Sequence, residues 1–330
     1  MTIISTPKTI AVYVGGDLIG DAIMKLPFVR ALRGAWPGAQ VTWIAGIHKT
    51  AFAHELAPLV AGLIDETIEE AGLYSVFQHL LSAPLEGRHF DLLIDTQRGV
   101  GRSLLVRRIR HNVFVSGTAN FLLSDVKPSK PWTRPKGMVA QLMELVSLAY
   151  GDMPPSGPAL AKNNDAEHKA IKILPPGRVY VGLAPGAGGQ QKRWPLDRYI
   201  SVGQSVAARG QTPVFILGPG EAALAKEISS AIPDAIVPEE ELNAGYLKSP
   251  ILSIAIARHL SAAVANDAGA GHILAAADTP LVSLFGPTSP EKFAPSTSQL
   301  EIIRAQDYGG DKMSLIPETV VRESLEKLLP

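Results

Sequence analysis

The stretch Thr9–Gly38, TIAVYVGGDLIGDAIMKLPFVRALRGAWPG, decides how the chain is read. Ile10–Val14 is a short continuous apolar run rich in β-branched residues, the signature of a buried strand. Gly15–Gly20 reads as a turn. Ala22–Gly34 then places Ile23, Leu26, Val29, Ala31 and Leu32 on one side of a helix that Pro37-Gly38 stops. A strand, a glycine-containing turn and a long helix form the opening of a βαβ unit.

The pattern continues outward. Val41–Ile44, Leu92–Asp95 and Val113–Val115 read as further strands, with an arginine-rich helix over Arg102–Arg110. The segment KPSKPWTRPK, residues 127–136, has too many prolines to be a regular element, and Gly137–Tyr150 follows as a helix. The Pro/Gly/Asn-rich Gly151–Asp165 marks a domain boundary, giving domains over 1–155 and 156–330. The second half opens as the first does. Val179–Leu183, Thr212–Leu217, Ala263–Ala265 and Leu281–Leu284 read as strands; Leu196–Arg209, Glu221–Ala231 and His272–Ala277 read as helices. A last helix spans Pro317–Leu329, with Ser314 upstream as one cap, and is a candidate to pack back on the first domain. The expected fold is α/β: two Rossmann-like domains with parallel sheets facing across a cleft.

Composition narrows the function classes. In 330 residues, 46% are apolar, the formal net charge is zero and cysteine is absent. That excludes disulfides, thiolate nucleophiles and Cys-type zinc sites, and no global charge calls for nucleic acid. The N-terminal MTIISTPKTIAVYVGGD lacks the pattern of a signal peptide, and no window holds 18 uninterrupted apolar residues. A cytoplasmic enzyme is the expectation, with peripheral contact at the inner membrane left open.

Three turns carry the candidate chemistry. The first is GGDLIGDA, Gly15–Ala22. A dinucleotide fingerprint from Gly15 needs glycine where Asp17 stands, and a P-loop needs lysine where Asp21 stands. Asp21 at a helix start would repel phosphate but can take a proton or hold a sugar hydroxyl; the plainer alternative is a helix N-cap. The second is LAPGAGGQQKRWPLDRY, Leu183–Tyr199. Gly186, Gly188 and Gly189 expose backbone N–H groups, and Lys192 and Arg193 add charge ahead of a helix, which suits a diphosphate. The alternative is a solvated loop stapled by Trp194. The third is ANDAGAGHILAAA, Ala265–Ala277, again a turn of small residues before a helix, where His272 by itself reads as a packed histidine. Thr288 and Ser289, in the turn after the next strand, can add hydroxyls. All three turns follow strands and so belong to the carboxyl edges of their sheets, where open α/β sheets bind ligands.

In order along the chain, Gly20-Asp21…Leu26-Pro27…Ala31-Leu32-Arg33…Pro37, then Pro185-Gly186-Ala187…Lys192-Arg193-Trp194-Pro195, then Asn266-Asp267-x-Gly269…His272-x-x-Ala275-Ala276-Ala277, then Phe285-Gly286-Pro287-Thr288 resemble glycosyltransferase family 9, the lipopolysaccharide heptosyltransferases. KRWP together with NDxGxxH is the specific part. The resemblance implies a GT-B fold and inverting, metal-independent transfer from ADP-heptose to a Kdo or heptose of a lipopolysaccharide core, with no cofactor beyond the ADP-sugar co-substrate. It implies an acceptor-binding first domain and a nucleotide-sugar-binding second domain that close over the substrates. Asp21 matches the catalytic aspartate, Lys192 the lysine on the donor diphosphate, and Glu221 an acid at the nucleoside. Gly186, Ala187, Gly188, Asp267, Ala268, Gly269 and His272 complete the donor set. Ala268 departs from the family, whose turn reads Asp-Thr-Gly or Asp-Ser-Gly.

Arg98, Arg102, Arg107, Arg108 and Arg110, with Lys127, Lys130, Arg134 and Lys136, form a basic set in the first half. With Gly20, the candidates Arg98, Arg102, Lys130 and Arg134 would bind an anionic glycolipid acceptor; a solvated basic face is the alternative. Other readings are a family member with another nucleotide sugar or acceptor, and a nucleotide-sugar-binding protein without catalysis.

Overall fold

The computed structural model describes residues 6–72, 84–129, 131–218, 220–238 and 249–329. The chain divides into two compact units, Met1–Ala161 and Lys162–Pro330. Packing sets where the first unit ends. Arg30 Nε donates to Pro158 O at 2.9 Å, and Ala161 N donates to Leu59 O at 3.2 Å, so the chain past residue 155 is still bound to the first unit.

In the first unit β1 (Thr9–Val14), α1 (Ile19–Ala35), β2 (Gln40–Ala45), β3 (Glu66–Ile68), β4 (His89–Asp95), α2 (Val100–Val106), β5 (Arg110–Ser116) and α3 (Met138–Tyr150) follow in order. The sheet is parallel, in the order β3-β2-β1-β4-β5. Its central strands are buried on both faces, as the continuous apolar runs require. Arg33, buried near the end of α1, donates to the carbonyls of Leu63 (2.9 Å) and Ala39 (2.7 Å), which anchors the loops on either side of β2.

The second unit runs α4 (Asn164–Ile173), β6 (Tyr180–Ala184), α5 (Leu196–Ala208), β7 (Thr212–Phe215), α6 (Ala223–Ala231), α7 (Pro250–Ala257), β8 (Ala262–Asn266), α8 (Gly269–Ala276), β9 (Leu281–Phe285), α9 (Pro290–Phe293), β10 (Leu300–Arg304) and α10 (Glu318–Leu328). Its parallel sheet is ordered β10-β9-β8-β6-β7. The strand order reverses between β1 and β4 in one sheet and between β6 and β8 in the other; such switch points open crevices at the carboxyl edge. Among the described residues no helix is long and apolar enough to cross a membrane.

Several sequence expectations need correction. The arginine helix ends at Val106, because Arg110 opens β5 opposite His89. The edge strands β3 and β10 were not anticipated; they are short, and their partly exposed polar residues hide the alternation. Val321 and Leu325 of α10 are buried in the second unit's core with Tyr199, Val264 and Val282. Trp194 Nε1 (3.1 Å) and Arg198 Nη1 (2.5 Å) both donate to Ile316 O, fixing the approach to that helix, whose N-cap is Pro317 rather than Ser314.

Leu325→Ala should therefore destabilise the second unit by about 2–5 kcal/mol, the cost of a buried leucine truncation. Urea unfolding followed by tryptophan emission measures it. A loss below ~1 kcal/mol would mean the helix is not part of this core.

Candidate functional site

At the switch point of the second sheet, β6 and β8 end side by side and release the two turns that the sequence marks for an anion. Asn266, at the end of β8, binds the two together. Its Oδ1 accepts from Trp194 N (3.1 Å) and Tyr199 OH (3.2 Å), and its Nδ2 donates to Pro185 O at 2.7 Å. The next residue, Asp267, is buried and accepts from Lys192 Nζ at 2.9 Å and from Thr288 Oγ1 at 2.5 Å. Lys192, Asp267 and Thr288, drawn from three separate turns, thus meet at one point. The ammonium donates to the Asp267 carboxylate and, at 3.5 Å, to the Asp267 carbonyl, and lies 5.8 Å from the Phe293 ring centre, with a third N–H left to offer.

The glycine-rich turn is shaped by what sits on it. A Cβ at Gly186 would fall 2.0 Å from Glu221 Oε2, so only glycine admits this carboxylate, which also accepts from Gly218 N at 2.7 Å. Glu221 stands just before α6, and Ala187 O accepts from Arg193 Nε (2.9 Å) and Nη2 (2.8 Å). Arg193 is therefore a strut of the turn. Gly188 is exposed. Ala268 is the N-cap of α8, extended at φ −155°, and supplies no side-chain cap, so Gly269 opens the helix with its first N–H groups uncapped. His272 lies one turn into that helix rather than at its start. Burial holds its imidazole below the ordinary 6.5, with the Asp267 carboxylate opposing and the Lys192 ammonium adding.

The first unit presents the other candidates. Asp21 lies in the first turn of α1, whose N-cap is Leu18, so the capping alternative fails. Asp21 is exposed and, among the described residues, engages no hydrogen bond or ion pair. Gly20 precedes it, also exposed, and the side chain of Gln97 from the turn after β4 lies against Gly15. Arg98 Nη2 donates to Gln141 Oε1 at 3.1 Å while Gln141 Nε2 donates to Pro135 O at 2.5 Å, which brings Arg98 to the segment that carries Arg134. Arg102, on α2, is near enough to Asp95 to oppose the rise that burial causes in that carboxyl. Lys130 lies outside the described residues. Arg107 is spent on Leu123 O and Asp125, and Ser289 on Glu291. Among the described residues, no group of three or more His, Asp or Glu side chains is placed to hold a metal ion.

The sequence reading missed Asn266 as the organiser; its position at the end of a strand, beside Asp267, was the available signal. The other acid of the first turn, Asp17, is already engaged. That carboxylate is buried and accepts from Trp43 Nε1 (3.0 Å), Thr50 Oγ1 (3.1 Å) and Lys25 Nζ.

Because the folded protein protonates His272 less readily than the unfolded chain does, this imidazole supports folding fully above pH ~6.5 and less as pH falls below it. His272→Gln should flatten the stability–pH curve there, and the ring's NMR titration midpoint should lie below 6.5. A midpoint at or above that value would contradict the burial.

The family Glycosyltransferase family 9 (heptosyltransferase) matches residues 79–315. Lipopolysaccharide heptosyltransferase 3 of Escherichia coli K12 is 31% identical over 336 residues, covering 94% of this chain and 95% of that protein. Lipooligosaccharide heptosyltransferase 2 of Haemophilus influenzae is 30% identical over 166 residues, and there the match spans about half of the relative, 48%. Among solved structures, the glycosyl transferase family 9 protein of Veillonella parvula superposes with a TM-score of 0.72 at 19% identity, covering 97% of both chains. The E. coli ADP-heptose lps heptosyltransferase II superposes with 0.65 at 21% identity, covering 97% of this chain and 98% of that one. These likenesses show a GT-B fold. Since the family match takes in more than half of the residues and a full-length relative agrees, the chain belongs to glycosyltransferase family 9.

Proposed function

We propose that the protein transfers a heptose from ADP-heptose to a sugar of the lipopolysaccharide core, inverting the anomeric centre in one displacement without a metal. The observation that carries this reading is the meeting of Lys192, Asp267 and Thr288 at the switch point of the second sheet, beside the uncapped start of α8. An ammonium with one free donor next to a helix N-terminus suits a diphosphate whose charge grows as the glycosidic bond breaks. Asp267 fixes the lysine before the donor arrives, so the charge needs no reorganisation. Glu221, over Gly186, offers its carboxylate to ribose hydroxyls of the nucleoside.

In the first unit Asp21 is exposed, unspent and at the carboxyl edge of its sheet, as a base for an acceptor hydroxyl must be. It takes the proton as the acceptor oxygen attacks the anomeric carbon, and its charge favours an oxocarbenium-like transition state. Arg98, Arg102 and Arg134 supply cations for acidic sugars or phosphates of a glycolipid acceptor. Action at the cytoplasmic face of the inner membrane follows from such an acceptor.

Asp21→Asn should lower turnover by about 10²–10⁴-fold with ADP affinity nearly unchanged, as expected for loss of a general base. Retained turnover would remove Asp21 from the chemistry. Lys192→Ala should lower both donor affinity and kcat, and activity should survive EDTA; unchanged kinetics would refute the diphosphate contact.

Ala268→Thr tests the position that departs from the family. As the N-cap of α8, threonine should stabilise the fold by about 0.5–2 kcal/mol. Its hydroxyl can also reach a donor phosphate, tightening ADP by up to roughly tenfold. Calorimetry and thermal unfolding read the two effects separately. Weaker ADP binding in a more stable protein would show that the pocket is shaped around alanine.

A further inference from the structure

Behind the turn that carries Asp21 lies a buried ion pair that the reaction scheme above leaves unused. Asp17 and Lys25 are 3% and 8% exposed. Lys25 is on α1, one turn after Asp21, and helical side chains lean back toward the N-terminus, so its ammonium reaches Asp17 across the turn of helix that holds Asp21. The backbone there is also closed. Asp17 N donates to Lys49 O at 3.1 Å, Ala51 N donates to Asp17 O at 3.0 Å, and Gly16 takes φ +146° against His48.

The pair is not needed to satisfy its neighbours. The Trp43 indole and the Thr50 hydroxyl each want one acceptor, which a neutral amide at position 17 would offer as well. Lys25 donates to Asp17 alone among the described residues. Replacing a buried ion pair by uncharged side chains is often neutral for stability, so holding two charges in this turn calls for another reason. Asp21 and Lys25 stand at i and i+4 with the acid first, the favoured spacing and order for a helical ion pair. An unclaimed Lys25 would take the exposed Asp21 as its partner.

We propose that Asp17 is a positioning residue for the transfer. By drawing the Lys25 ammonium into the buried turn, it keeps that cation off Asp21 and leaves the Asp21 carboxylate open to the acceptor hydroxyl. The inference rests on Asp21 being the base.

The experiment compares wild type, Asp17→Asn, Asp17→Asn/Lys25→Met and Asp21→Asn, all full length. Transfer is assayed with ADP-heptose and Kdo-lipid A or heptosyl-Kdo-lipid A, whichever the wild type turns over, and ADP affinity is measured by calorimetry. Asp17→Asn should lower kcat by about tenfold or more while ADP affinity stays within about twofold, because a base held in an ion pair is lost to the reaction in part. The double variant has lost more native interactions yet should recover to within about threefold of wild-type kcat, since the competing cation is gone. A double variant as slow as Asp17→Asn, with thermal midpoints showing both folded, would overturn the proposal and make the pair purely structural. Wild-type turnover in Asp21→Asn would instead remove the base itself, and the proposal with it. Should Asp17→Asn fail to fold, Asp17→Ser, which also removes the charge, takes its place in both single and double variants.

Discussion

The side chain of Asn266 is spent entirely on joining the end of β8 to the turn after β6, and the arrangement of the second unit's site depends on that join. One amide group accepts from Trp194 N and Tyr199 OH and donates to Pro185 O. An aspartate could not make the donating half, and leucine could make none, so the buried backbone around Trp194 would be left unpaired at a cost of about 1–3 kcal/mol per group. Through Trp194 the same join reaches Ile316 and the approach to the C-terminal helix. Lys192, two residues before Trp194, is thereby set within reach of Asp267, the neighbour of Asn266.

The two sheets use the same device for opposite ends. Each is parallel, and each reverses its strand order once, so each leaves two adjacent carboxyl ends without a connection covering them. In the second unit the turns there gather an ammonium, a helix start and a carboxylate that braces the ammonium. In the first, the turn after β1 presents an acid on the first turn of α1, with Gln97 from the turn after β4 beside Gly15. The second edge thus centres on a cation and the first on an exposed carboxylate.

Charge in both units is held in place by buried partners. Asp267 restrains Lys192, and Asp17 restrains Lys25. In water such contacts would contribute little, but in partly or wholly buried turns a cation stays where its carboxylate is. Ala268 lacks the hydroxyl that would cap α8, so the N–H groups there remain available to a ligand at the cost of helix stability.

The alternation of β-branched runs with amphipathic stretches was enough to read both halves as parallel α/β units, because strands buried on both faces are continuously apolar and helices are not. Asp21 and Lys192 stand out as candidates for the same local reason, since turns between strand and helix can be read from glycine, proline and charge, whereas Asp267 and His272 join the candidate set only through the family resemblance. What the sequence could not determine was which turns lie side by side. Adjacency of β6 and β8 depends on sheet order, which long-range hydrogen bonding sets and no local pattern records. Nor could it show that Asn266 is the join, that Glu221 occupies the space a Cβ at Gly186 would fill, or that the final helix belongs to the second unit's own core. Nor could the local pattern tell apart the two acids of the first turn: burial made Asp17 the partner of a lysine and left Asp21 exposed. Residue type and spacing determined which groups were present; only the tertiary structure, by choosing which charges lose their water, decided which are already paired and which remain free to act.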